Sequence, residues 1–147
     1  MSLKGDFGAH LVAYELMRRG WEVSLNQGMI TKNTNREIQG YDILARKDKS
    51  IKKIEVKFID SFLKKGTYKK HLRQRLTPGE VKQCDAAIIV IYGNNVHELY
   101  IIPRRNFKEV FYSNNTIAIY NGKKPSKGKM GKFKVTEASN WDKLLLN

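Results

Sequence analysis

Asp42 is followed thirteen residues later by Glu55-Val56-Lys57, so two carboxylates and one ammonium recur at a spacing that a β-hairpin can close. With a turn centred between Asp48 and Lys49, Asp42 falls opposite Glu55 and Ile43 opposite Ile54. Cross-strand partners share a face, with Cβ atoms roughly 5 Å apart. Alternation along the second strand adds Lys57 to the Glu55 face and sends Ile54, Val56 and Phe58 to the other. Paired carboxylates repel unless a cation lies between them, and hard oxygen donors on a rigid pleat suit Mg²⁺, with Mn²⁺ as its substitute. An ion held there would polarise a phosphoryl oxygen and lower the pKa of bound water, while Lys57 orients that water or stabilises charge developing on the phosphorane. The chemistry is phosphodiester hydrolysis. The same alternation also describes a solvated sheet face whose charges do nothing further. Apolar segments on either side of the hairpin predict instead that both faces of the sheet are covered.

Those segments are legible from their periodicity. Ala9, Val12, Ala13 and Leu16 recur at helical spacing, which predicts a helix over residues 6–19 with Asp6 as its N-cap and Gly20 as its stop. Trp21–Leu25 reads as a strand, 26–39 as a polar loop, and 41–45 with 51–58 as the hairpin. Residues 61–75 are basic and poorly patterned, and Pro78–Gln83 reads as a short helix capped by Thr77. Glu80, at the start of that helix, is expected to serve the cap or the helix dipole rather than catalysis. Ala86–Tyr92 is a continuous apolar strand, expected to be central, and Glu98–Ile102 pairs with it across the Gly93-Asn94-Asn95 turn, ending at Pro103. A helix over 104–111 and a strand over 116–120 follow. This order predicts an α/β architecture, a mixed sheet flanked by helices, in a single domain over 1–147 with its core in about 4–105 and a basic extension over 106–147.

With 147 residues, 41% of them hydrophobic, the chain is large enough to bury one core without metal or disulfide staples. Its 28 basic and 14 acidic residues leave a net charge of +14. A partner of opposite sign is implied: nucleic acid, an anionic membrane surface or an acidic protein. Apolar runs such as 86–91 are too short to span a bilayer, and no signal peptide is read at the start. The single cysteine, Cys84, permits no internal disulfide and fits a reducing cytosol; it is expected in the core. His10, His71 and His97 have no spacing that points to zinc or to a catalytic triad.

At Asp42 and Glu55-Val56-Lys57 the sequence resembles the PD-(D/E)xK nuclease superfamily, whose signature is an acidic residue opening one strand and acidic-x-Lys on the next. The resemblance extends to Lys4-Gly5-Asp6-Phe7-Gly8 opening the first helix, to Arg19-Gly20-Trp21-Glu22-Val23 closing it, and to Tyr100-Ile101-Ile102-Pro103 late in the sheet. The layout looks most like Holliday-junction resolvases, small restriction endonucleases and intron-encoded homing endonucleases of this fold. It implies a restriction-endonuclease-like fold, with Asp42, Glu55 and Lys57 as catalytic residues and the two carboxylates as ligands to Mg²⁺. Tyr41 stands where the family name has proline. Ala9 and His10 occupy the stretch of the first helix where many members carry a further metal-binding carboxylate, for which Asp6 or Glu15 are the candidate substitutes.

The basic residues are concentrated. Lys64, Lys65, Lys69, Lys70, Arg73 and Arg75 lie within 61–75, and Lys123, Lys124, Lys127, Lys129, Lys132 and Lys134 within 121–134, with no acidic residue in either run. A charge run of this kind is commonly a solvated face, but tracking of a phosphate backbone accounts better for the asymmetry. Asn33, Asn35, Arg36 and Gln39 are side chains suited to reading base edges in the major groove. These features together predict a Mg²⁺-dependent endodeoxyribonuclease acting on double-stranded or branched DNA, as a homodimer or higher homo-oligomer, because one such site cuts one strand. Two alternatives share the same residues: a DNA-binding module on this fold without turnover, and an RNA-binding or RNA-processing protein.

Overall fold

A computed structural model of the chain describes residues 3–26, 41–60, 71–93, 96–120, 130–135 and 141–146. The first helix, α1 (Leu3–Arg18), begins three residues before the expected cap, so Asp6 lies in its first turn rather than ahead of it. Its end is as the sequence predicts. Gly20 takes φ +89°, its N–H donates to Met17 O at 3.1 Å, and Trp21 N–H donates to Leu16 O at 3.1 Å, closing the helix with a left-handed glycine. The turn delivers the chain into β1 (Glu22–Leu25).

The hairpin comprises β2 (Ile43–Lys47) and β3 (Ser50–Asp60), in the predicted register with Ile43 opposite Ile54. Asp48 at the turn adopts φ 53°, a conformation that aspartate tolerates better than most residues. β4 (His71–Arg75) follows, then α2 (Pro78–Gln83), β5 (Ala86–Gly93) and β6 (Val96–Pro103). A 3-10 turn over Arg104–Asn106 leads into α3 (Phe107–Val110), β7 (Phe111–Ser113) and β8 (Thr116–Tyr120); β9 (Lys134–Val135) and α4 (Trp141–Leu146) complete the described elements.

Six strands form a mixed sheet in the order β1-β2-β3-β5-β6-β9, in which β5 runs parallel to β3 and antiparallel to β6. β5 is therefore interior, as its uninterrupted apolar run requires: Ala87, Ile88, Ile89 and Val90 are all inaccessible to solvent. A second sheet, β4-β8-β7, pairs His71 with Tyr120 and Arg75 with Thr116. The basic, poorly patterned stretch 61–75 thus ends in a strand, His71–Arg75, which its sequence did not predict.

Each face of the main sheet has its own core. On one, Val12 and Leu16 of α1 and Trp141 and Leu145 of α4 pack on Ile43, Ile54, Val56, Ile88 and Ile101. On the other, Leu76, Cys84, Phe107, Ile117 and Phe133 pack on Ile59, Ala87, Ile89, Tyr100 and Ile102. Residues beyond 105 thus contribute to both cores. Cys84 is buried, as expected. No described helix is long and apolar enough to cross a membrane.

Candidate active site

Asp42 sits one residue ahead of β2. Its N–H donates to Ile54 O at 2.8 Å and its C=O accepts from Asn26 N–H at 2.7 Å, which continues the hairpin register past the last ladder pair. Its side chain is held as well: Oδ2 accepts from Val56 N–H at 2.8 Å. Asp42 therefore reaches across to the strand that carries Glu55 and Lys57. Lys57 Nζ is 3.3 Å from Glu55 Oε1. The three residues that the sequence brings together by register stand on one face, the face of the second core.

Covering of that face makes the cluster electrostatically unusual. Glu55 is 7% exposed. Burial, reinforced by Glu80 and Asp42 and opposed by Lys57, pushes its carboxyl up to about 10. Burial also holds the Asp42 carboxyl above the usual range, against the lowering effect of Val56 N–H, Glu55 and Lys57. For Lys57, burial opposes the charge, but Glu55 and Glu80 outweigh it and hold the ammonium above the ordinary lysine range. The solvated-face alternative does not describe these residues.

Glu80 is the site residue that sequence reasoning underweighted. It does serve the cap: Thr77 Oγ1 accepts from Glu80 N–H at 3.1 Å while Glu80 Oε1 accepts from Thr77 N–H at 2.7 Å, a reciprocal capping box with Pro78 in the first turn. The same carboxylate also accepts from Lys57 Nζ, at 2.9 Å through Oε2 and 3.2 Å through Oε1. Burial works upward on it too, but hydrogen bonds from Glu55, from the Thr77 backbone and from Lys57 outweigh that and take it down to about 2. The signal in the sequence was the capping box; its second contact depends on how the chain returns α2 to β3, which local pattern does not encode.

The candidate substitutes on α1 are placed differently. Glu15 is tied to Arg19 at 2.6 Å and to Arg18 at 3.3 Å, toward the end of the helix that packs near α4, where Arg19 lies over the Trp141 ring. Asp6, in the first turn, offers its carbonyl to His10 Nδ1 at 2.7 Å. His10 is exposed. Next to Asp6, Phe7 packs edge-on against Phe58 and Tyr92, with ring centroids 5.5 and 5.4 Å apart, which anchors the start of α1 beside the strand that bears Lys57.

Could the cluster hold a cation? Its donors are carboxylate oxygens, and in the chain alone their repulsion is relieved by a proton on Glu55, a role that a divalent ion fills without it. Among the described residues no group of three or more His, Cys, Asp and Glu forms a metal cage. Two carboxylates with the remaining positions left to water is the habit of Mg²⁺. The residues present therefore fit such an ion.

Of the basic residues singled out above, Arg73 and Arg75 are exposed on β4, two residues apart and hence on one face of that strand. Lys132 and Lys134 are tied to acidic partners, Lys132 to Glu109 and Lys134 to Glu98 at 3.2 Å. Lys64, Lys65, Lys69, Lys70, Lys123, Lys124, Lys127 and Lys129 lie outside the described residues, as do Asn33, Asn35, Arg36 and Gln39.

No family model and no curated protein matches the sequence. Solved structures do match the fold. A bacterial homing endonuclease superposes with a TM-score of 0.61 at 17% identity, over 90% of this chain and 86% of its own. The Holliday junction resolvase Hjc of the archaeal hyperthermophile Archaeoglobus fulgidus superposes with a TM-score of 0.50 at 17% identity, over 80% of this chain and 84% of its own. A mixed six-stranded sheet flanked by helices, with likeness to both structures across most of the chain, gives this protein the restriction-endonuclease-like α/β fold.

Proposed function

We propose that the chain is a metal-dependent endodeoxyribonuclease that hydrolyses phosphodiester bonds in double-stranded DNA, either site-specifically or at junctions. The observation that carries this is the convergence of Asp42, Glu55 and Lys57 on one covered face, with Asp42 locked to Val56 N–H at 2.8 Å and Lys57 Nζ 3.3 Å from Glu55. Fold likeness to a homing endonuclease and a junction resolvase supports it.

In this reading Asp42 and Glu55 would hold Mg²⁺, or Mn²⁺ in its place, which when bound polarises a phosphoryl oxygen and acidifies water. Lys57 keeps its proton and stands beside the carboxylates as a fixed positive charge. It orients the attacking water, or it stabilises the negative charge that builds on the phosphoryl oxygens. Water adds to phosphorus, the bond to the leaving sugar oxygen breaks, and that oxygen takes up a proton. Two copies related by symmetry would cut both strands of a duplex, and a cytosolic setting suits the lone Cys84 thiol.

The test is cleavage of plasmid, four-way junction and single-stranded DNA by the purified protein with Mg²⁺ or EDTA, with an RNA arm alongside. Cutting of duplex or junction DNA that EDTA abolishes and Lys57→Ala removes, with DNA affinity kept within a few-fold, is the expected result. DNA binding without cutting in any metal would instead make the chain a binding module on a nuclease fold, and cutting confined to RNA would move it to RNA processing.

A further inference from the structure

Lys57 has a four-carbon stem and three rotatable donors, so a fixed position for its ammonium has to come from its neighbours. Glu55, two residues back on the same strand, is one. Glu80 is another, and it is anchored to backbone. Its Oε1 accepts from Thr77 N–H at 2.7 Å, its own N–H donates to Thr77 Oγ1 at 3.1 Å, and both its oxygens reach Lys57 Nζ, at 3.2 and 2.9 Å. The backbone N–H of Thr77 thus fixes the carboxylate, and the carboxylate fixes the ammonium.

We propose that Glu80 is a positioning residue, which transmits the rigid start of α2 to Lys57 and holds its ammonium beside Asp42 and Glu55. This rests on the reading of those three residues as the reacting site. Two features favour positioning over other roles. The oxygens of Glu80 are already engaged by Thr77 N–H and Lys57, which leaves it a poor metal ligand. The cap by itself explains the Thr77 contacts but not why the carboxylate of a six-residue helix lies against a partly buried lysine on β3.

Glu80→Ala, Glu80→Gln and Thr77→Ala separate these roles. Thr77→Ala removes the hydroxyl half of the cap and leaves the Glu80 carboxylate in place, whereas glutamine at 80 keeps an acceptor for both Thr77 N–H and Lys57. Expected results are a fall in kcat of about 10- to 100-fold for Glu80→Ala with KM for DNA and Mn²⁺ affinity unchanged. Glu80→Gln should recover much of that loss, and Thr77→Ala should lower the melting temperature with kcat near the parent value. Loss of Mn²⁺ affinity in Glu80→Gln would make Glu80 a ligand instead, and equal kcat losses in Thr77→Ala and Glu80→Ala would reduce it to a cap; either overturns the proposal. A readout that needs no turnover is the ¹H–¹⁵N signal of the Lys57 ammonium, which a held ammonium shows and a mobile one loses to exchange. It should be present in the parent and in Thr77→Ala and absent in Glu80→Ala; its persistence in Glu80→Ala overturns the proposal even if the parent cuts no nucleic acid, a result that by itself would sink only the nuclease reading.

Discussion

A carboxylate that is 7% exposed needs a proton or a cation, and among the described residues Glu55 shares its surroundings with the carboxylates of Asp42 and Glu80 and the ammonium of Lys57. That imbalance sets an expectation for stability as well as for chemistry. A metal that binds the folded chain and not the unfolded one stabilises it, by about 1.4 kcal/mol at ten times its Kd. Mg²⁺ should therefore raise the unfolding temperature of the parent, while Asp42→Asn and Glu55→Gln should lose that response. Without metal, Glu55→Gln should be as stable as the parent or more so, because the parent must take up a proton on Glu55 to bury it, whereas the neutral isostere needs none. Unfolding curves with and without Mg²⁺ check both points, and an undiminished metal response in Asp42→Asn would remove that residue from the ligand set. Asp42, Glu55 and Lys57 were legible because strand pairing has a period of two and a hairpin has one centre, so type and register together place side chains on a face. Glu80 was legible only as a cap.

At the scale of elements, β3 is the beam of the site, and α1 lies against it closely. A Cβ on Gly8 would sit 3.1 Å from Phe58 Cβ and 3.2 Å from its Cδ2, tight enough that Phe58 must give by a few tenths of an ångström. Gly8→Val should overpack this crossing at a cost of about 1–3 kcal/mol, more than the helix gains by losing a glycine, which is about 0.5–1 kcal/mol at most. The denaturant midpoint should fall, and because Phe58 follows Lys57 directly, cleavage should fall with it; a midpoint at or above the parent's would show that Phe58 yields freely. The helix and its glycine stop were readable from periodicity. Its start was not, because a carboxylate in the first turn suits the dipole as well as a cap does, so Asp6 alone does not mark where the helix begins. β4 escaped notice for a different reason: His71-Leu72-Arg73-Gln74-Arg75 has one apolar residue, and its strand state is conferred by pairing with β8 more than forty residues later. Docking of α4 is similarly remote in sequence. Trp21 Nε1 donates to Asp142 Oδ1 at 3.1 Å and Lys47 Nζ to Asp142 Oδ2 at 2.6 Å, contacts that no local pattern announces.

Across the whole molecule the governing quantity is a net charge of +14, and its distribution decides what it does. Lys132 and Lys134 are exposed and face Glu109 and Glu98, and Arg73 and Arg75 are exposed on β4. Lys123, Lys124, Lys127 and Lys129 stand in a stretch of sequence without an acidic residue. If they contact phosphates, each contact releases condensed counterions, and the slope of log affinity against log salt scales with the number neutralised. Replacing all four by glutamine should then flatten that slope by up to about 3 to 4 units, nearly independently of DNA sequence. Changes at Asn33, Asn35, Arg36 or Gln39 should act in the opposite way if those side chains read bases. They should narrow the gap between preferred and random DNA by roughly 1 to 3 kcal/mol per contact and leave the slope almost unchanged. Titrations across a salt series with both classes of variant on one preferred and one random duplex separate positioning from readout. A four-lysine variant with the parent's slope would show these charges to be a solubilising surface, and would move the phosphate-binding face to the exposed arginines of β4.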